Sequence, residues 1–573
     1  IWIPGILPLM TYASMSVRSH LIELYDNYIL LLPQTTLRLL IRPLISSLLP
    51  GIDDESNDFL PLTLKLIETL QENLDDDSLF WQTLFLVMTA NKGRRLGGLT
   101  WLTRKFPSLN AVPHLVNKIK MEAEENPSET ETNDSHLDRK KRKEEAFKVL
   151  LPAAKDLVTP EPGLLIRCLV GCLEDENDIL IKRSVLDLLL QRLRLDSPVL
   201  NVLITSEDKK LLIMSCCRTT LSKDMSLNRR IWNWLLGPTA GGMLNNNGGN
   251  SMEYTTSVKS ANEESNVYFT KYGLSALLEG LSDLLSEEES VLTAFRISMA
   301  VMDRWEIGSL VIPELFIPLL YSSEKFKQNE QIMKTARTFF DNTETNIIWG
   351  KLFQELEDIK NLKILDFVLT NFNIGNDEEI IVRHLPLILL TLLALPSNDK
   401  DFDNIYKLQK FSLYNKLLNY IPERALLPLS HSKLKHDDEV SCEELLAKIR
   451  GFYTNVSNPS SILEKENIAE RLPPFTTEDL TFLIADLIQK KLLSSLWDLE
   501  NINESSKLFI AIFEKIPESE ELKGRSHISW SDKKITQSIF EAIPRLCESN
   551  NDAKSEEIVG IVEIFGNYLY SRM

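Results

Sequence analysis

Cysteine is scarce in this chain, six in 573 residues, which excludes a disulfide framework as the source of its stability. The nearest pairs, Cys168/Cys172 and Cys216/Cys217, lack the second pair that a zinc site needs. Their neighbours are Leu, Val, Ile and Met, so the thiols read as buried in a reducing compartment. Bases are outnumbered as well, 63 Lys and Arg against 82 Asp and Glu, for a net charge of -19. A chain of that sign has no general footprint for phosphate backbones, which excludes a general nucleic-acid binder and wholesale adhesion to anionic lipid. Long apolar runs are missing too. The best, Leu385–Leu395, is broken by Pro386 and Thr391 and falls well short of the ~20 residues that a membrane span requires. Ile1–Tyr12 has neither an initiator Met nor a basic leader region, so it reads as the interior of a domain, with preceding residues expected.

Motifs that carry chemistry are also absent. There is no G-x-x-x-x-G-K-[ST], G-x-G-x-x-G or H-E-x-x-H. Gly237–Gly242 lacks the lysine of a phosphate loop, and Gly280-Leu-Ser282 fails as a nucleophile elbow. Of seven histidines, no pair has metal-ligand spacing beside a Cys or acid apart from His431 and His436 beside Asp437 and Asp438, in a polar break that reads as a solvated loop. Acidic runs at Asp53–Glu55, Asp75–Asp77 and Glu174–Glu176 lack the glycine and terminal glutamate of a calcium loop. At inter-helix turns such acids favour the positive N-terminus of the next helix. No catalytic residue, metal or cofactor is expected.

What the sequence does have is helical periodicity. Leu274, Leu277, Leu278, Leu281, Leu284 and Leu285 make one apolar stripe, and Ile181, Val185, Leu188, Leu189 and Leu193 another. Leu480–Leu487 and Ile558–Leu569 repeat the pattern. Period-2 alternation is hard to find. A chain of this length exceeds a single core, which stops growing at about 250–300 residues, so a repeat array fits. Stripes arrive at the cadence of helical hairpins of about 40–47 residues. Glu174–Asp178 with Lys182 and Arg183 carries the acid-turn and helix-base pattern of units that pair with their neighbours. The expected fold is all-α, an irregular HEAT/armadillo-like helical-repeat solenoid. Residues 1–238 form its N-terminal part, with a mobile loop at about 122–142. Residues 239–266 form a disordered linker, and 267–573 continue the array. The loop and linker hold too little apolar surface to repay their ordering.

Two basic clusters remain. Arg139–Lys143 reads first as part of a solvated linker. Lys92, Arg94, Arg95, Arg104 and Lys105, interleaved with Gly97, Gly98 and Trp101, make a candidate partner or lipid contact.

Several stretches are more specific than a generic array. Phe80-Trp81-Gln82 is followed by Gly93-Arg94-Arg95-Leu96-Gly97 and Trp101-Leu102. Lys223–Pro238 holds Asp224, Asn228, Arg229, Arg230, Trp232 and Trp234. Leu48–Ile52 and Pro162–Arg167 agree with these. Together they resemble the N-terminal region of the Dopey family. That resemblance implies a non-enzymatic scaffold in endosome–Golgi vesicle-mediated protein transport and cell polarity, peripheral on the cytosolic face of Golgi and endosomal membranes. It implies two protein partners, a large scaffold related to Arf exchange factors and a phospholipid-flipping P-type ATPase. The alternatives are a direct anionic-lipid-binding module and a nuclear transport receptor. Within the signature, Trp232 is expected in the core, and Arg229 or Arg230 at a neighbouring turn.

Overall fold

The computed structural model describes residues 3–54, 58–112, 135–175, 178–238, 263–359, 361–395, 404–428, 441–457, 473–498 and 501–517, with isolated positions beyond. It is helical throughout these, with no strand among the described residues. Contacts divide the chain into two units, Ile1–Ile312 and Pro313–Met573.

Unit one contains α1 (Gln34–Leu48), α2 (Leu60–Leu74), α3 (Asp77–Ala90), α4 (Arg95–Lys105), α5 (Ser135–Lys148), α6 (Pro162–Leu173), α7 (Ile179–Arg192), α8 (Ser206–Thr219), α9 (Met225–Leu236), α10 (Leu274–Leu284) and α11 (Glu288–Met302). The helices stack in two rows. α3, α6, α8 and α10 pack in succession, and α4, α7 and α9 do the same beside them. Each hairpin therefore covers the apolar face of the one before it. Ile181, Val185, Leu188, Leu189 and Leu193 of the stripe read from the sequence are all buried.

Polar contacts repeat with the same step. Arg167 reaches Asp208 and Arg183 reaches Asp224, each 41 residues on. Arg230 reaches back 43 residues to Asp187, and Arg218 back 44 to Glu174. The buried Trp234 Nε1 donates to the Leu193 carbonyl, 41 residues earlier, at 2.9 Å. These offsets match the length of a HEAT or armadillo unit, about 40–47 residues. Turn acids also start the helices. Asp178 accepts from the Leu180 amide at 2.8 Å, and Asp224 from the Leu227 amide at 2.9 Å. Such N-caps contribute ~1 kcal/mol each.

Unit two begins within the helix Trp305–Lys325 and continues through α12 (Glu330–Asn342), α13 (Thr345–Gln354), α14 (Leu362–Asn371), α15 (Leu385–Ala394), α16 (Asn404–Tyr420), α17 (Cys442–Ser457), α18 (Thr477–Asp498) and α19 (Ile502–Lys515). Its early step is shorter. Tyr321 donates to Glu355, Arg337 to the Asn371 carbonyl and Thr345 to Glu379, each over 34 residues. That is the length of a tetratricopeptide unit. α15 packs against α16, α17 and α18, which explains its apolar run: residues 385–392 are all buried. No described helix is long and apolar enough to cross a membrane.

At two places the helices reach beyond the expected bounds. Within the loop expected at 122–142, residues 135–142 belong to α5. Lys, Arg and Glu are good helix formers, and the spacing of Glu144 to Lys148 suits i,i+4 pairing. Of the linker expected at 239–266, residues 263–266 open a helix that runs to 272. Cys168, Cys172, Cys216 and Cys217 are buried, as expected, and Cys442 is exposed beside Glu443 and Glu444 at the start of α17. The His431/His436 cluster and the stripe from Ile558 lie outside the described residues, isolated positions excepted.

His384 is fully buried in unit two. Its ring lies nearly parallel to Trp349, centroids 6.4 Å apart, and its Nδ1 is 3.0 Å from the Tyr453 hydroxyl. Burial, with Arg383 adding, pushes its pKa down to about 3. The neutral ring therefore favours the fold fully above pH ~6.5, the unfolded value, and that contribution is lost as pH falls toward 3. His384→Phe is expected to flatten the loss of unit-two stability between pH 6.5 and 4, read as urea midpoints across that range. An unchanged slope would contradict the assignment.

Candidate interaction site

The basic cluster begins on a short 3-10 turn, Lys92–Arg94, and runs into α4. The fold does not assemble it into one surface. Arg95 is 6% exposed. Its Nη1 lies 2.8 Å from Asp175 Oδ2 and its Nε donates to the Met88 carbonyl at 3.3 Å. As a partner or lipid contact Arg95 is thus corrected: it joins α4 to the acidic turn after α6. The sequence shows a base but not which side of the first helical turn it occupies, and here that side faces the next hairpin. Arg94 is half-buried, donates to Thr11 Oγ1 at 3.2 Å and lies beside Asp53. Lys92 and Arg104 are exposed. Lys105 bridges to Glu68 at 2.6 Å.

The signature stretches meet one another. A Cβ on Gly97 would stand 2.2 Å from the Leu49 carbonyl oxygen and 2.6 Å from Asp53 Oδ1, so Leu48–Asp53 and Gly93–Gly97 form a single joint that only glycine admits. Burial raises the Asp53 carboxyl, while the Gly97 amide and the Arg94 guanidinium pull it down.

In α9, Asp224 caps the helix and receives Arg183 at 3.5 Å. The Leu227 amide holds its carboxyl below the usual range, with Arg183 beside it. Arg230 pairs with Asp187 at 2.7 Å and also holds Ser226. Trp232 and Trp234 are both buried, on opposite sides of a helix with neighbours on each. Arg229 is exposed and Asn228 half-buried. Gly237 ends the helix at φ +86 with Tyr268 against it.

The fold also brings together a site that sequence reading missed. An open groove of about 740 Å³ is lined by Glu68, Glu72, Asp75, Asp76, Asp77 and Asp156, with Lys105, Trp81 and Trp101 in its walls. The signal was the run Asp75–Asp77. Its reading as turn chemistry holds: Asp75 closes α2 in the left-handed conformation at φ 48, and Asp76 accepts from the Leu79 amide at 3.0 Å. What no local pattern shows is the arrival of Asp156, held where Ser78 Oγ donates to its carbonyl across 78 residues at 2.9 Å. No group of three His, Cys, Asp or Glu residues converges as metal ligands among the described residues.

Two family models match the chain, one described as Dopey, N-terminal, over residues 1–240, and one as DOP1 middle TPR domain, over 268–453. The second covers the helices whose contacts repeat every 34 residues. Protein dop1 of Emericella nidulans is 30% identical over 92% of this chain and 30% of its own length. Protein DOP1B of Xenopus laevis is 23% identical over 82% of the chain and 20% of its own. Protein DOP1 homolog of Drosophila melanogaster is 25% identical over 62% and 12%. The chain thus spans less than a third of these relatives. No solved structure matches it.

Two outcomes follow. Gly97→Ala is expected to cost about 1–3 kcal/mol by overpacking, whereas Gly93→Ala, open but for Asn91 Oδ1 at 3.5 Å, should change stability by no more than about 0.5 kcal/mol. Arg95→Met leaves Asp175 half-buried and unpaired and should cost about 3 kcal/mol, the low end for breaking a buried pair, with most of it recovered on adding Asp175→Leu. Thermal and urea unfolding measure both.

Proposed function

The chain belongs to the Dopey family, and from that premise we propose that it is a non-enzymatic scaffold in endosome–Golgi vesicle-mediated transport. It docks a large Arf-exchange-factor-related scaffold and a phospholipid-flipping P-type ATPase on the cytosolic face of Golgi and endosomal membranes. One observation carries the reading. The signature side chains Arg95, Asp224, Arg230, Trp232 and Trp234 are spent holding neighbouring helices together. Their identity supports a built array, which is the architecture of extended docking surfaces. Affinity on such a surface comes from a few well-packed anchors rather than from total area.

The direct-lipid alternative keeps Lys92, Arg94, Arg104 and Lys105, together with Lys141 and Arg142, which are exposed on α5. A basic residue close to an anionic surface contributes about 1 kcal/mol. With the 573-residue chain as bait, immunoblotting of a detergent extract is expected to find both the exchange-factor-related scaffold and the flippase retained. Vesicles containing phosphatidylserine should not float the chain. Failure to retain either protein would contradict the scaffold reading, and flotation abolished by Lys141→Glu/Arg142→Glu would favour the lipid module.

A further inference from the structure

We propose that α17 is an intrachain ligand: it occupies a helix-binding face of unit two, and an amphipathic helix of a partner protein with the same side-chain pattern takes its place. The partner half of that assignment rests on the scaffold reading and gives it a site. The repeats place α17 out of series. The 34-residue step aligns Trp305–Lys325, α13 and α15 as first helices of successive hairpins, and α12 and α14 as second helices. α16 packs on α14 as the next second helix, and α18 and α19 form the following hairpin, packed on α15 and α16. α17 lies between α16 and α18 in the chain yet belongs to neither row. It lies across two first helices, α13 and α15.

α17 is held as a bound helix is held. Leu445, Ile449, Phe452 and Tyr453 are buried, at i, i+4, i+7 and i+8, whereas Glu443, Glu444, Lys448 and Gly451 are exposed. That is the anchor pattern of a helix laid in a groove. The Tyr453 ring packs on Phe353 at 5.6 Å and His384 at 5.9 Å, and its hydroxyl is 3.0 Å from His384 Nδ1. Gly350 admits it, since a Cβ there would stand 3.2 Å from Tyr453 Cδ1. Arg450 Nε donates to Glu357 Oε2 at 3.0 Å, and the Arg383 guanidinium covers the Phe452 ring at 5.1 Å. The partner helix therefore carries two aliphatic anchors a turn apart, a base after the second, and a tyrosine for His384.

The second observation is that α17 is a weak helix by itself. Gly451 stands inside it, and a Cβ there would meet nothing within 4 Å. No close approach requires that glycine, and glycine weakens a helix interior, so docking rather than propensity keeps α17 helical. The connecting residues 429–440 and 458–472 are long enough, at ~3.3 Å each, for α17 to leave its seat while α13, α15, α16 and α18 keep theirs.

The test is native-state amide hydrogen exchange and fluorescence anisotropy on the full chain. In the wild type, Cys442–Ser457 is expected to exchange ahead of α13 and α15, by local opening. A fluorescein-labelled peptide of residues 441–457, carrying Cys442→Ser, should bind the opened chain Ile449→Ser/Tyr453→Ser at least tenfold more tightly than wild type, because a covered site binds only in its open fraction. Gly451→Ala in the peptide should tighten binding about fivefold through a better-formed helix. Arg450→Glu in the peptide should abolish binding, and Glu357→Lys in the opened chain should restore it. α17 exchanging together with α13 and α15, no saturable binding to the opened chain, or equal binding to opened and wild-type chains would overturn the proposal. Exchange needs no substitution, so it decides the point even where the double variant does not fold. From detergent extract, the opened chain should retain one or both expected partners more strongly than wild type, and excess peptide should release them. Equal retention unmoved by peptide overturns the partner assignment while the scaffold reading stands; if neither chain retains either protein, the scaffold reading fails and takes the partner assignment with it.

Discussion

A helical hairpin cannot bury its own apolar stripe, so each repeat in this chain depends on the next to cover it and on some device to fix the register. In unit one that device is a run of acid–base contacts stepping by one repeat, from Glu174 to Arg218, Arg183 to Asp224 and Asp187 to Arg230. Most are exposed pairs worth little singly, about 0–1 kcal/mol. Their value lies in direction, because each is satisfied at one offset only. The buried contact of the Trp234 indole with the Leu193 carbonyl reinforces the same offset, while Arg95 on Asp175 joins two hairpins 80 residues apart in sequence. Stability comes from the apolar seam, and the polar contacts select which seam forms.

The same logic separates the two units. Where contacts repeat at 41–44 residues the hairpins have HEAT-like length, and where they repeat at 34 they are tetratricopeptide-like. A family whose second model carries the tetratricopeptide description agrees with the latter.

Much of the fold was legible in the sequence because burial on one face leaves a 3.6-residue period, as in Ile181–Leu193. The acid turn at Glu174–Asp178 was legible too, since capping and pairing require acids at turns. What was not legible was side. Arg95 and Lys105 look alike in sequence, yet one is buried against the next hairpin and the other is exposed. The same blindness placed residues 135–142 in a loop: low apolar content excludes a core but does not exclude a helix. It also hid the groove, whose walls come from α2, α3, α4 and a helix some 80 residues beyond α2. Local patterns report turns, whereas grooves between elements are set by packing.

Coupling between neighbouring repeats is the claim on which the scaffold stands, and amide hydrogen exchange on the chain carrying Arg230→Gln tests it most directly. The account predicts that Ile179–Arg192 loses protection together with Met225–Leu236, because the lost guanidinium had joined the two. Loss of protection confined to Met225–Leu236 would contradict it.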